Sequence, residues 1–168
     1  MPATDLCLTP ATELAHLIRQ RQVSPVEVVE AFLRRIERLN PTLNALCTVV
    51  AEEALIAARA AEQSLEAWAR GSGPAPGALH GVPVAIKDVT YTRGIRTTLG
   101  SRLYEHQVPD RDAPLVSRLK EAGAIVLGKS ATPEFGWKGV TDSPLFGVSR
   151  NPWDVTKTCL LYTSDAAD

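Results

Sequence analysis

Apolar residues along this chain fall at helical spacing in some stretches and in short β-branched runs in others, which predicts alternating helices and strands. Thr9-Pro10 followed by Leu14, Leu17 and Ile18 predicts a short amphipathic helix with proline at its first position. Ser24-Pro25-Val26-Glu27 is a stronger start, combining an N-cap serine, a proline at the first helical position and a capping-box glutamate. Val28, Val29, Phe32, Leu33, Ile36 and Leu39 then keep helical spacing until Asn40-Pro41, where the helix is expected to stop. Arg34, Arg35, Glu37 and Arg38 occupy the other, solvated face. Leu46–Val50 reads as a strand, the alanine-rich stretch 51–70 as a helix and residues 71–77 as a loop.

The run Gly81-Val-Pro-Val-Ala-Ile-Lys87-Asp88 is apolar and β-branched, and predicts a strand buried on both faces with a lysine at its carboxyl end. That pattern leaves two readings of Lys87 open. Either the strand surfaces there and the lysine is solvated, or the amine sits on the floor of a closed site where desolvation lowers its pKa. A polar, glycine-punctuated connection follows over 89–110, the kind of segment that carries sites in α/β proteins. Asp112 is expected to cap a helix carrying Leu115, Val116 and Leu119, with Gly123 just past its end. Ala124–Leu127 is the next strand, so strand, crossover helix and strand imply a parallel, right-handed pair. Thr132-Pro133-Glu134-Phe135 reads as a helical turn, and a loop rich in glycine and proline runs on to Trp153.

Composition narrows the class without naming a function. Eighteen basic residues face nineteen acidic ones, a net charge of −1 that offers no footprint for nucleic acid or an anionic membrane. No apolar run approaches the ~18 residues of a membrane span, and the amino terminus carries no secretory pattern. Cys7, Cys47 and Cys159 are widely separated and read as reduced, which fits a cytoplasmic protein. His16, His80 and His106 are too scattered to suggest a metal, and no cofactor is expected.

Gly123-Ala-Ile-Val-Leu-Gly-Lys-Ser130 satisfies the phosphate-loop pattern literally. That loop works through unpaired backbone N–H groups between a strand and a helix. Here the middle residues read as the strand itself, whose N–H groups are spent in the ladder, and Pro133 follows closely. The match is rejected.

Two blocks together resemble the amidase signature family of serine hydrolases. One is Leu79-His-Gly-Val-Pro-Val-Ala-Ile-Lys87-Asp88. The other is Gly128-Lys-Ser-Ala-Thr-Pro-Glu-Phe-Gly136, continuing through Thr141-Asp-Ser-Pro-Leu-Phe-Gly147 to Arg150-Asn-Pro-Trp153. The Ser24-Pro-Val-Glu helix start also matches, and the likeness extends to about Thr158. The resemblance implies a large mixed sheet flanked by helices, of which residues 1–158 would be an amino-terminal, incomplete part. It implies chemistry by a serine nucleophile, a second serine and a lysine, and the motif makes that lysine Lys87. It also makes Gly136, Thr141 and Asp142 candidates for lining a cavity that holds a small-molecule amide, although ordinary turn roles suit all three equally.

The chain departs from the family pattern in two places. Lys129-Ser-Ala131 stands where many members read Lys-Thr-Asn, an expected change in loop hydrogen bonding. After Asn151-Pro-Trp153 the family leads to a Gly-Gly-Ser-Ser-Gly-Gly stretch, whereas residues 159–168 look like non-native sequence and no Gly-Gly dipeptide occurs anywhere. Ser164 lacks glycine neighbours and is not assigned to either missing serine. The chain is therefore expected to be an inactive piece of an amidase that aggregates, with its oligomeric state otherwise open. Two alternatives stand beside this: a non-catalytic, partner-binding module, and a relative of the amidotransferase subunit that acts on aminoacyl-tRNA. A sharp melt without aggregation would favour the module.

Overall fold

The computed structural model describes residues 5–158, so the stretch 159–168 with Cys159 and Ser164 lies outside the described residues. The chain divides into two compact units, each assembled from separate segments. The first takes the chain up to Ile36, Val50–Val84 and Ser117–Leu127. The second takes Glu37–Val49, Ala85–Val116 and the chain from Gly128 onward.

Helices dominate the first unit. Helix α1 (Ala11–Arg19) buries Leu14 and Ile18, with Pro10 one position earlier than expected, at the cap. Helix α2 (Pro25–Leu43) begins as its sequence predicts. Ser24 Oγ accepts from Val26 N–H at 3.0 Å, and the Glu27 carboxylate accepts from Ser24 N–H at 2.8 Å, so the capping box is formed in both directions. Helix α3 (Ala51–Ala69) buries Ala54, Ala58 and Leu65. Two apolar clusters result, one around Leu14, Ile18, Val28, Leu65 and Val82, the other around Val29, Ala54, Ala58, Ile125 and Leu127. Small alanines on α3 let the helix approach β-branched partners closely, and each fully buried Val, Leu or Ile contributes about 1.5–3 kcal/mol.

Asn40-Pro41 does not stop α2, which runs on to Leu43 within the second unit. Pro41 falls in the last turns, where its missing N–H removes little of the helix. Asn40 supplies what the end needs: its Oδ1 accepts from Ala45 N–H at 2.9 Å and Leu46 N–H at 2.8 Å, turning the chain into strand β1 (Leu46–Val49).

The three-stranded sheet has the order β1-β3-β2, where β2 is Pro83–Lys87 and β3 is Ile125–Ser130. β1 runs antiparallel to β3, pairing Leu46 with Ser130 and Val49 with Gly128 across an irregularity. Ile125 N–H donates to Val82 O and Asp88 N–H to Ser130 O, so residue numbers rise together and β2 and β3 are parallel, as the crossover predicts. The sheet is thus mixed. Strand β3 extends three residues past its predicted end because β1 accepts Gly128–Ser130 on the other side. Gly128 is required there: a Cβ would drive into the Thr48 carbonyl.

Burial falls on a different strand from the one the sequence suggests. β3, the central strand, is buried at every position but its last, whereas β2 buries only Ile86 among Pro83–Lys87. The expectation of a β2 buried on both faces is therefore corrected. The crossover helix α4 (Pro114–Glu121) starts two residues after Asp112, and Gly123, with φ +90°, stands just past its end as predicted. Beyond β3 the expected loop contains a hairpin of two-residue strands, β4 (Asp142–Ser143) with β5 (Gly147–Val148). It is tied to the entrance of β1 by Asn44 Nδ2 to Phe146 O at 2.7 Å and Arg150 N–H to Leu43 O at 2.8 Å.

Candidate active site

Lys87 ends β2 with its side chain exposed, and its backbone is held firmly. The Lys87 carbonyl accepts from Thr90 N–H at 2.9 Å, closing a turn. Asp88, the next residue, is fully buried. Its N–H reaches Ser130 O at 3.0 Å, its carbonyl accepts from Leu99 N–H at 3.1 Å, and its carboxylate accepts from both the N–H and Oγ1 of Thr98. Charge-assisted bonds of this kind offset the cost of burying a carboxylate. Leu99 O in turn accepts from Phe135 N–H at 2.7 Å, so the strand end is linked through residue 99 to the turn at Glu134–Gly136.

The buried lysine is Lys129. It has no exposed surface. Its Nζ donates to Thr90 O, to Thr92 Oγ1 at 2.9 Å and to Thr97 Oγ1 at 3.0 Å. All three partners belong to the polar segment after β2, which is thereby fastened to β3. The rejected phosphate-loop reading agrees with this, since the lysine it would assign to phosphates is already engaged. Sequence reasoning meets Lys129 only in the rejected phosphate-loop match and in the variant Lys129-Ser-Ala131 motif. The available signal is a lysine inside an apolar run, together with four threonines at 90, 92, 97 and 98.

The other expected site residues are placed separately. Gly136 is exposed, and a Cβ on it would lie 3.5 Å from Val89 Cγ1, two residues past Lys87. Thr141 is buried and its carbonyl accepts from Ser149 N–H at 2.8 Å. Asp142 pairs with Lys138 and opens the hairpin anchored at the β1 entrance. Gly136 therefore accompanies the Lys87 end of the sheet, while Thr141 and Asp142 are anchored beside β1, with β3 between β1 and β2.

Cys47 on β1 sits against the Lys129 carbonyl, 3.5 Å from its Sγ. Burial, and secondarily the Asp88 carboxylate, push its thiol up to about 12, so it is no nucleophile at neutral pH. Among the described residues no group of three His, Cys, Asp or Glu side chains could hold a metal ion, and no helix is long and apolar enough to cross a membrane.

A mixed sheet with helices packed against it, and an accessible amine at the carboxyl end of one strand, defines an α/β protein. Residues 27–159 match the Amidase family model, and the chain belongs to the amidase signature family. It is 42% identical over 154 residues to a glutamyl-tRNA(Gln) amidotransferase subunit of Acidothermus cellulolyticus, covering 92% of this chain and 30% of that protein. It is 43% identical over 149 residues to the indoleacetamide hydrolase of Bradyrhizobium diazoefficiens, covering 89% and 28%. Among solved structures, a bacterial aryl acylamidase superposes with a TM-score of 0.79 at 30% identity over 88% of this chain and 30% of that one. The 6-aminohexanoate cyclic dimer hydrolase superposes with a TM-score of 0.77 at 30% identity over 92% and 30%. The chain thus spans about 30% of the length of the relatives it matches.

Proposed function

We propose that this chain carries the base of an amidase that hydrolyses the carbon–nitrogen bond of a linear amide through a serine acyl-enzyme. The observation that supports this most is Lys87 itself, an exposed amine on an immobilised strand end within the block that matches the family. In the proposed reaction neutral Lys87 Nζ takes a proton from a bridging serine hydroxyl, which takes one from the nucleophilic serine. The serine oxygen attacks the carbonyl, the tetrahedral oxyanion collapses, and the departing amine receives the proton back. Water then cleaves the ester by the same relay. Neither serine is assigned to a residue of this chain. In this reading Gly136, Thr141 and Asp142 line the amide-binding cavity, Gly136 from the Lys87 side and the other two from the side of β1.

A lysine becomes a base near neutral pH when water is withdrawn from it, and shifting its pKa from about 10.4 to about 7–8 corresponds to roughly 3–5 kcal/mol. In the proposed enzyme that cover comes from chain outside the roughly 30% of the family's length present here, and the 168 residues alone are inactive. The test joins residues 1–158 to the corresponding continuation of the Bradyrhizobium relative and measures ammonia released from indoleacetamide. The chain alone should release none, and Lys87→Ala in the joined protein should lower kcat/KM by about 10²–10⁴-fold. Turnover that survives Lys87→Ala sinks the assignment.

A second reading, an amidotransferase subunit, draws on the 42% identity to the Acidothermus protein. It predicts amide nitrogen transfer to an aminoacyl-tRNA only when partner subunits are added, and little hydrolysis of free amides.

A further inference from the structure

We propose that Lys129 is a positioning residue for the strand end bearing Lys87, an ammonium that clasps the turn at residues 87–90. The inference deepens the reading of Lys87 given above and rests on it for its functional meaning. It follows from a count of hydrogens. Thr92 Oγ1 donates to Thr90 O at 3.2 Å and Thr97 Oγ1 donates to Ile95 O at 3.0 Å. Each hydroxyl has thereby committed its only hydrogen and offers Lys129 a lone pair, as the Thr90 carbonyl does. Three acceptors converge on Nζ, and they require three hydrogens, which an ammonium carries and a neutral amine does not.

The clasp acts where it matters for Lys87. Thr90 is held at both ends: its carbonyl accepts from Lys129, and its N–H donates to the Lys87 carbonyl at 2.9 Å. On the other side Asp88 N–H donates to the carbonyl of Ser130, the residue after Lys129. The Lys87 backbone is thus gripped from β3, while its side chain stays exposed. Two lysines on neighbouring strands divide the work. One is fixed as a cation inside the protein, and the other keeps an accessible amine on a rigid mount, the arrangement a functional side chain needs.

Residue-resolved hydrogen exchange on the 168-residue chain tests this, comparing Lys129→Met, Thr92→Val and Thr92→Ser. In the first two variants the Thr90 and Ile95 amides should exchange about tenfold or more faster, while Val28, Val29 and Ala58 stay within about threefold of the parent. Thr92→Ser keeps the acceptor oxygen and should restore parental protection. Equal acceleration in both sets of amides makes Lys129 a general core residue and overturns the proposal. So do an unprotected Thr90 amide in the parent and a serine variant that behaves like valine. No turnover enters this readout, so its failure leaves the Lys87 assignment standing, and activity surviving Lys87→Ala leaves the clasp standing.

Discussion

Two residues of the same type show how little a side chain's identity says about its role. Lys87 and Lys129 both follow apolar runs, yet one is exposed and the other has no accessible surface. A local pattern reports that a lysine ends a strand. It does not report which strand receives neighbours on both sides. Cys47 gives a residue-scale prediction. Its pKa is raised from 9.0 to about 12, so at pH 8 its thiolate fraction falls about a thousandfold. Peptide-resolved alkylation with iodoacetamide at pH 8 should leave Cys47 unmodified in the folded chain and label it after denaturation. The sign for stability follows: the contribution of the partly buried thiol is whole below about pH 9 and is lost as pH rises from there through 12. Gly128 gives another. Gly128→Ala places a methyl against the Thr48 carbonyl and should destabilise the chain by about 1–3 kcal/mol in urea unfolding, with β1 the first strand released.

Among the elements, those set by local chemistry are legible in the sequence and those set by partners are not. The start of α2 is readable because Ser24, Pro25 and Glu27 act within one turn, and the capping box forms as written. Ser24→Ala should therefore cost about 1 kcal/mol, measured as a shift in thermal or urea midpoint. The end of α2 is not readable, because its continuation past Pro41 depends on Asn40 bonding to residues 45 and 46, beyond the helix. Asn40→Ala should loosen that exit and speed amide exchange at Ala45 and Leu46 ahead of Val28 and Val29. The carboxyl end of β3 escapes the sequence for a similar reason: Gly128-Lys-Ser carries no β-branched signal, and only pairing with β1 makes it strand. The hairpin at 142–148 is likewise made by its anchors at Leu43 and Asn44.

For the whole molecule, the second unit presents large apolar side chains to solvent, including Leu103 at 82%, Trp137 at 74% and Trp153 at 92% exposure. Surfaces of this kind associate. The 168-residue chain is expected to sediment as a concentration-dependent mixture of oligomers, and a monodisperse species with one sharp melt would favour the partner-binding module instead.

The sequence by itself determined the α/β class, the start of α2, the parallel crossover and the motif blocks that place the chain in its family. Each of these depends on spacing within a few residues or on a block read in order. Only the tertiary structure decided that β3 is the central strand, that Asp88 and Lys129 are buried and that Lys87 remains accessible. It also decided that Gly136 accompanies Lys87 while Thr141 and Asp142 are anchored near β1. The physical reason is that burial and hydrogen-bond satisfaction are properties of neighbours. The threonines that hold Lys129 stand 32–39 residues away in the chain.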